Sequence, residues 1–234
     1  DTVLSRGLGD VYKRQAVVKS DLLKNSHKDV MTLQAWFSPA FPTGAFSYSH
    51  GMESAIHDGL ITDAESLKNW IAFLLSHGSG RNDGLFLKAA YEGVAEANAL
   101  CLAVCSSKER FCETTELGQA FIRVVKASYG VKLPDQAAYP IAVGKAAQEI
   151  NLDLTLTIQS YLQAFASNLI SVGIRTIPIG QQAGQACLVQ LYPVIEKITK
   201  KIKIATLDEL GSATFMSDLM AIKHEKSAPR IYRT

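Results

Sequence analysis

The chain has 234 residues, 47% hydrophobic and 20% charged, with a formal net charge of +2. That length is enough to bury a sizeable core in one large domain or two small ones, with the composition of a soluble globular protein. The near-neutral charge gives no argument for nucleic acid, whose binders concentrate basic residues on one face. No apolar run approaches the roughly 18 residues of a membrane span, and no short apolar secretory segment opens the chain, so a cytoplasmic location is expected.

Residues 1–15, D-T-V-L-S-R-G-L-G-D-V-Y-K-R-Q, have no helical period and join abruptly to a polar stretch. They are expected to be a non-native leader, similar to translated adapter sequence, and 16–234 to form a single all-helical domain. The first structured feature is the corner F-S-P-A-F-P-T-G-A-F-S-Y-S-H-G at 37–51. Pro39 disfavours continuing a preceding helix, and Pro42 pre-sets a turn dihedral. Gly44 lets the backbone change direction without a Cβ clash. A glycine then opens a helix crowded with Phe46, Tyr48 and His50.

Helical punctuation follows. Thr62 with Glu65 predicts a capping box, ahead of Leu67, Trp70, Ile71, Leu74 and Leu75 at helical spacing. Gly78 and Gly80 should close that helix, with Asn82 or Asp83 capping the next, which runs to about Cys105. A third helix fits 110–129, with Gly130 just past its end. Pro134 suits the first turn of another, reaching about Ile150 with Asn151 as a left-handed cap. Asp153 caps the longest stripe, Ile158, Leu162, Phe165, Leu169 and Val172. The turn I-P-I-G-Q, with Pro178, Gly180 and Gln181, ends it. A helix from about Gln182 carries Pro193, which should kink it. Thr206 with Glu209 predicts a second capping box, and a short helix over 215–225 leads to the tail P-R-I-Y-R-T. Strand signals are nearly absent, so the expected fold is all-α, a bundle of about eight to nine helices.

The candidate chemistry is sparse. The four cysteines, at 101, 105, 112 and 187, are too few and too unevenly placed for a disulfide framework. Cys101, Cys105 and Cys112 could share one face of an unbroken helix and hold a soft metal, but Ser106 and Ser107 should interrupt it, which favours buried free thiols. His50 and His57 are seven apart, whereas a metal pair wants three or four. His224-Glu225 starts like H-E-x-x-H, but position 228 is Ala. Lys197, Lys200, Lys201 and Lys203 alternate with isoleucines and read as a solvated face. No phosphate-binding loop or nucleophile elbow occurs, so no catalytic residue is proposed. The tail stands out: Arg230 and Arg233 flank Ile231 and Tyr232, the composition of an interface anchor, although Ile231 and Tyr232 could equally fold back onto their own core.

The stretch S-P-A-F-P-T-G-A-F-S-Y-S-H-G-M-E at 38–53 resembles the S-P-x-x-P-x-G-A-F-x-Y-S-x-G-[LM]-E motif of the urease accessory protein UreF family. The likeness continues from about Leu33 through Asp83-Gly84, Gly118, Y-P-I-A-V-G at 139–144, P-I-G-Q at 178–181, G-S-A-T at 211–214, Asp218, His224-Glu225 and R-I-Y-R-T at 230–234. The family ends in R-L-F-R-S, so Ile231, Tyr232 and Thr234 are mild departures. The resemblance implies a dimeric, non-catalytic adaptor that joins UreD (also called UreH) and the GTPase UreG on apo-urease. Nickel would be handled transiently, with no metal ligand or tightly bound cofactor in the chain. Tyr48, His224, Glu225, Arg230, Ile231, Tyr232 and Arg233 are the expected partner-binding residues, and Pro39, Pro42, Gly44, Gly51, Pro178, Gly180 and Gln181 the structural turns. A cysteine-based metal carrier and an enzyme with a diffuse helical site are the alternatives.

Overall fold

The computed structural model describes residues 27–233; the leader expected at 1–15 lies outside the described residues. Among these, α1 covers 27–36 and is followed by nine further α-helices with no strand. They are α2 (Met52–His57), α3 (Ala64–His77), α4 (Ser79–Tyr91), α5 (Ala97–Ala103), α6 (Lys108–Tyr129), α7 (Tyr139–Glu149), α8 (Leu154–Thr176), α9 (Gln181–Ile204) and α10 (Phe215–His224). Single 3-10 turns at Ala45–Ser47 and Leu207–Glu209 punctuate the loops. The first is all that forms of the helix expected over Phe46, Tyr48 and His50, because Tyr48 is extended and His50 and Gly51 take positive φ before α2 begins. The chain is all-α, as its periodicity requires.

The long helices form where local chemistry prescribes them. The Asp153 side chain accepts from Leu156 N–H at 2.7 Å to start α8, and Ile158, Leu162, Phe165, Leu169 and Val172 are all buried. That satisfies one of the orphan donors at the helix start. Gly130, with φ +65°, ends α6, and Asn151, with φ +55°, follows α7. The core runs between α3, α4, α7, α8 and α9, around fully buried Phe86, Leu67, Ile71, Ile141 and Ile158. Trp36 packs edge-on against Phe121, ring centroids 5.1 Å apart, tying α1 to α6. Each such side chain contributes roughly 1.5–3 kcal/mol by leaving water.

Four boundaries differ from expectation, each for a reason outside the local pattern. The box that starts α3 is shifted by one residue: Asp63 accepts from Ser66 N–H at 2.8 Å and Ser66 Oγ accepts from Asp63 N–H at 3.1 Å. Glu65 instead binds Lys68 and Asn69. The single helix expected to reach Cys105 starts earlier, at Ser79, and is cut after Tyr91, where Gly93 adopts φ +81° and turns the chain into α5. Pro134 does not open α7. Pro140 sits in its first turn, while 131–138 runs across the bundle with Leu133, Ala137 and Ala138 buried. Ala138 N–H is fixed by Asn98 Oδ1 at 2.9 Å and Tyr139 N–H by Thr114 Oγ1 at 3.1 Å. Finally, Thr206 caps only a 3-10 turn, accepting from Asp208 N–H rather than forming a box with Glu209. Pro193 lies inside α9 on its exposed side, and the helix continues past it to Ile204.

Candidate functional site

The functional geometry gathers where the start of α2, the start of α6 and the end of α10 meet. Glu53 and Glu109 occupy first turns, where the helix dipole favours an anion, and His224 ends α10, where it favours a cation. Gly51 permits the meeting: its φ is +73°, and it packs so closely on α10 that a Cβ would lie 2.5 Å from Ala221 N. His224 is completely buried. Its Nδ1 lies 2.8 Å from Glu109 Oε2, and its Nε2 lies 3.0 Å from Glu53 Oε2.

The carboxyl tail closes onto this relay. Glu53 Oε1 accepts from Ile231 N–H at 2.8 Å and Oε2 from Tyr232 N–H at 2.9 Å, while Arg230 pairs with Glu109. Arg233 N–H donates to Ser47 O at 2.8 Å. The Arg233 guanidinium binds both Glu116 oxygens at 2.7 and 3.0 Å, donates to Tyr48 Oη at 3.1 Å, and lies over the Tyr48 ring. Tyr48 Oη in turn donates to Glu116 at 2.6 Å. Arg175 of α8 completes the stitching, stacking 5.0 Å over the Tyr232 ring and donating to Phe46 O. Tail, corner and helix ends are one polar assembly.

Its electrostatics follow from these contacts. Burial pushes the Glu53 carboxyl up, but the His224 bond and the Ile231 and Tyr232 N–H groups outweigh it and hold Glu53 below the usual carboxylate range. Burial, and then the Glu116 carboxylate, raise the Tyr48 phenol, so it remains a donor. A cleft of about 530 Å³ lies beside the tail, with Lys108, Cys112, Glu116 and Glu225 among its walls.

The structure thus brings together Tyr48, His224, Arg230, Tyr232 and Arg233, and adds Glu225, which accepts from Lys108 N–H at 2.9 Å at the start of α6. Of the tail's apolar pair, Tyr232 is folded inward at 3% exposure and Ile231 points outward at 74%. Pro39 and Pro42 lie in the turns after α1, Gly44 has φ +79°, and Pro178 and Gly180 lie in the α8–α9 turn, whereas Gln181, expected in that turn, is the first residue of α9, with Gly180 as its cap. Sequence reasoning missed Glu109, Glu116 and Arg175 and saw Glu53 only as the end of a motif. The spacing of Glu109 and Glu116 on one face of α6 was the available signal, and it does not name their partners.

The three neighbouring cysteines are not one cluster. Ser107 caps α6 by accepting from Arg110 N–H at 3.1 Å and breaks the run from α5. Cys101 and Cys105 line one cavity with Asp83 and Arg110, and Cys112 lines the tail cleft instead. Burial pushes the Cys101 and Cys105 thiols up, disfavouring the thiolates a soft metal needs. Among the described residues no group of three or more His, Cys, Asp or Glu is placed to hold a metal ion, and no helix is long and apolar enough to cross a membrane. His50 pairs with Glu113 at 2.9 Å, beside the buried Arg110–Asp83 pair that Tyr161 Oη joins at 2.8 Å.

Fold and site define an all-α protein whose tail is clamped by a buried carboxylate–histidine–carboxylate relay. The UreF family model matches residues 61–192. The urease accessory protein UreF of Roseobacter denitrificans is 41% identical over 208 residues, covering 87% of this chain and 93% of that relative. Those of Cereibacter sphaeroides strain KD131 and Ruegeria pomeroyi are 44% and 40% identical, covering 88% and 89% of this chain and 98% of each relative. The chain belongs to the UreF family of urease accessory proteins.

Proposed function

We propose that the chain is the adaptor between UreD (UreH) and the GTPase UreG in a cytoplasmic complex that matures apo-urease. It would act as a homodimer without a catalytic cycle of its own, with nickel as the cargo of the complex rather than a resident ion. The observation that carries this reading is the tail assembly. Paired charges hold Arg230 and Arg233 in place, Glu53 holds the Tyr232 N–H, and that order leaves Ile231 exposed to solvent. Such a preformed surface lowers the entropic cost of binding. Four further apolar side chains, Phe215, Met216, Leu219 and Ile222, face outward along α10, more than a surface helix of ten residues needs.

The test is co-purification with UreD and UreG, with the nucleotide state varied. Deleting 229–234 should abolish capture of UreG by the UreD-bound chain while helical circular dichroism is retained; unchanged capture would remove the tail from the interface. Titration calorimetry of the purified chain with nickel, and separately with GTP, should show no binding tighter than about micromolar. Submicromolar nickel at one ion per chain would make it a carrier rather than an adaptor.

A further inference from the structure

The relay fixes a proton count. An ionised carboxylate only accepts hydrogen bonds, and a neutral imidazole offers one N–H and one lone pair. Both nitrogens of His224 face carboxylate oxygens at hydrogen-bond distance, and the ring has no exposed surface through which water could mediate. Neither carboxyl is available as the donor. Glu53 already accepts two backbone N–H groups from the tail, and Glu109 is paired with Arg230. A neutral ring would therefore aim a lone pair at an anionic oxygen in a dry site, where such a contact is costly.

We propose that closure of the carboxyl tail is proton-linked: the closed tail requires a proton on both nitrogens of His224, and the loss of one releases it. The groups facing the ring are Glu53 from α2 and Glu109 from α6, with Arg230 of the tail behind Glu109. Its own helix contributes Lys223, paired with Asp58, and the adjoining Glu225 binds the start of α6. The His50–Glu113 pair lies further along the α6 face. Glu53, Glu109 and Arg230 together leave one uncompensated negative charge, which the imidazolium cancels. Removing that proton weakens the grip on Glu53 Oε2, the oxygen that also accepts Tyr232 N–H. Because the tail is one wall of the 530 Å³ cleft, its release changes that cleft as well. The inference concerns the chain alone and holds whichever partner meets the surface.

The linkage has a definite sign. The closed state holds a proton that the ring can lose once the tail opens, so closure is favoured at lower pH and is lost as pH rises. The full chain, labelled with ¹⁵N in its histidine rings and backbone, provides the test. With the tail closed, both His224 nitrogens should be protonated. Amide protection of Ile231 and Tyr232, taken relative to the intrinsic exchange rate, should fall about tenfold per pH unit above ring deprotonation until the tail is open. Amides of α8 should hold over the same range. His224→Gln should abolish that pH dependence; if this variant does not fold, the wild-type titration decides alone. A singly protonated His224 ring beneath a closed tail, or tail protection that ignores the ring's proton, would overturn the proposal.

Discussion

Truncating Tyr232 tests whether the tail is an anchored strap or part of the core. Its ring is 3% exposed and lies under Arg175, while its N–H is held by Glu53. Removing a buried aromatic ring costs about 3–5 kcal/mol where the surroundings cannot yield. At the end of a chain they can, because the tail can leave, so the loss is capped by the docking free energy of the tail itself. Taking the lower figure, Tyr232→Ala should raise the open population on the order of 100-fold, since about 1.4 kcal/mol is a factor of ten. Trypsin cleavage after Arg230 reports that population when opening is fast relative to cutting, and it should accelerate by the same factor while the melting temperature stays within a few degrees. Tyr232→Phe should do the opposite. The Tyr232 hydroxyl is buried with no hydrogen-bond partner among the described residues, so deleting it removes a desolvation cost of about 1 kcal/mol or more. Cleavage should then be unchanged or slower. If Ala leaves the cleavage rate unaltered, or lowers global melting in step with it, Tyr232 does not anchor a separable strap.

Other perturbations separate backbone strain from collision. Gly44→Ala should cost only the ~1–2 kcal/mol of a left-handed residue, because its Cβ would enter open space, whereas Gly51→Ala adds a clash with the Ala221 backbone; thermal melting should rank Gly51 well below Gly44. Gly144→Ala would drive a methyl into the carbonyl oxygen of Leu87 and separate α7 from α4, so denaturant unfolding should show a loss of about 3 kcal/mol or more. Acidification should open the tail from the other side. The lowered Glu53 carboxyl contributes stability that is present above the ordinary carboxylate range and lost as pH falls through its depressed value, so Ile231 and Tyr232 amide protection should drop there, and not in Glu53→Gln. Native Cys101, with its thiol pushed up by burial, should resist iodoacetamide until the protein unfolds, as mass spectrometry of the alkylated chain would show.

The sequence by itself determined most of the helices. The α8 stripe, its Asp153 cap, the end of α6 at Gly130 and the P-I-G-Q turn are legible because caps and 3.6-residue periodicity act between residues within about two turns of each other. The same reading misplaced the start of α7 at Pro134, because the burial of Leu133, Ala137 and Ala138 in the core, which keeps 131–138 out of the helix, has no local signal. It left the fate of the tail open, since composition cannot say which of Ile231 and Tyr232 turns inward. Only the tertiary structure decides that. Glu53 and His224 are 171 positions apart, and Glu109 and His224 115, and no local pattern pairs them. Their meeting depends on Gly51 letting α2 press against α10 and on α6 beginning beside both. Tyr232 is buried because Glu53 and Arg175 are already in place to receive it.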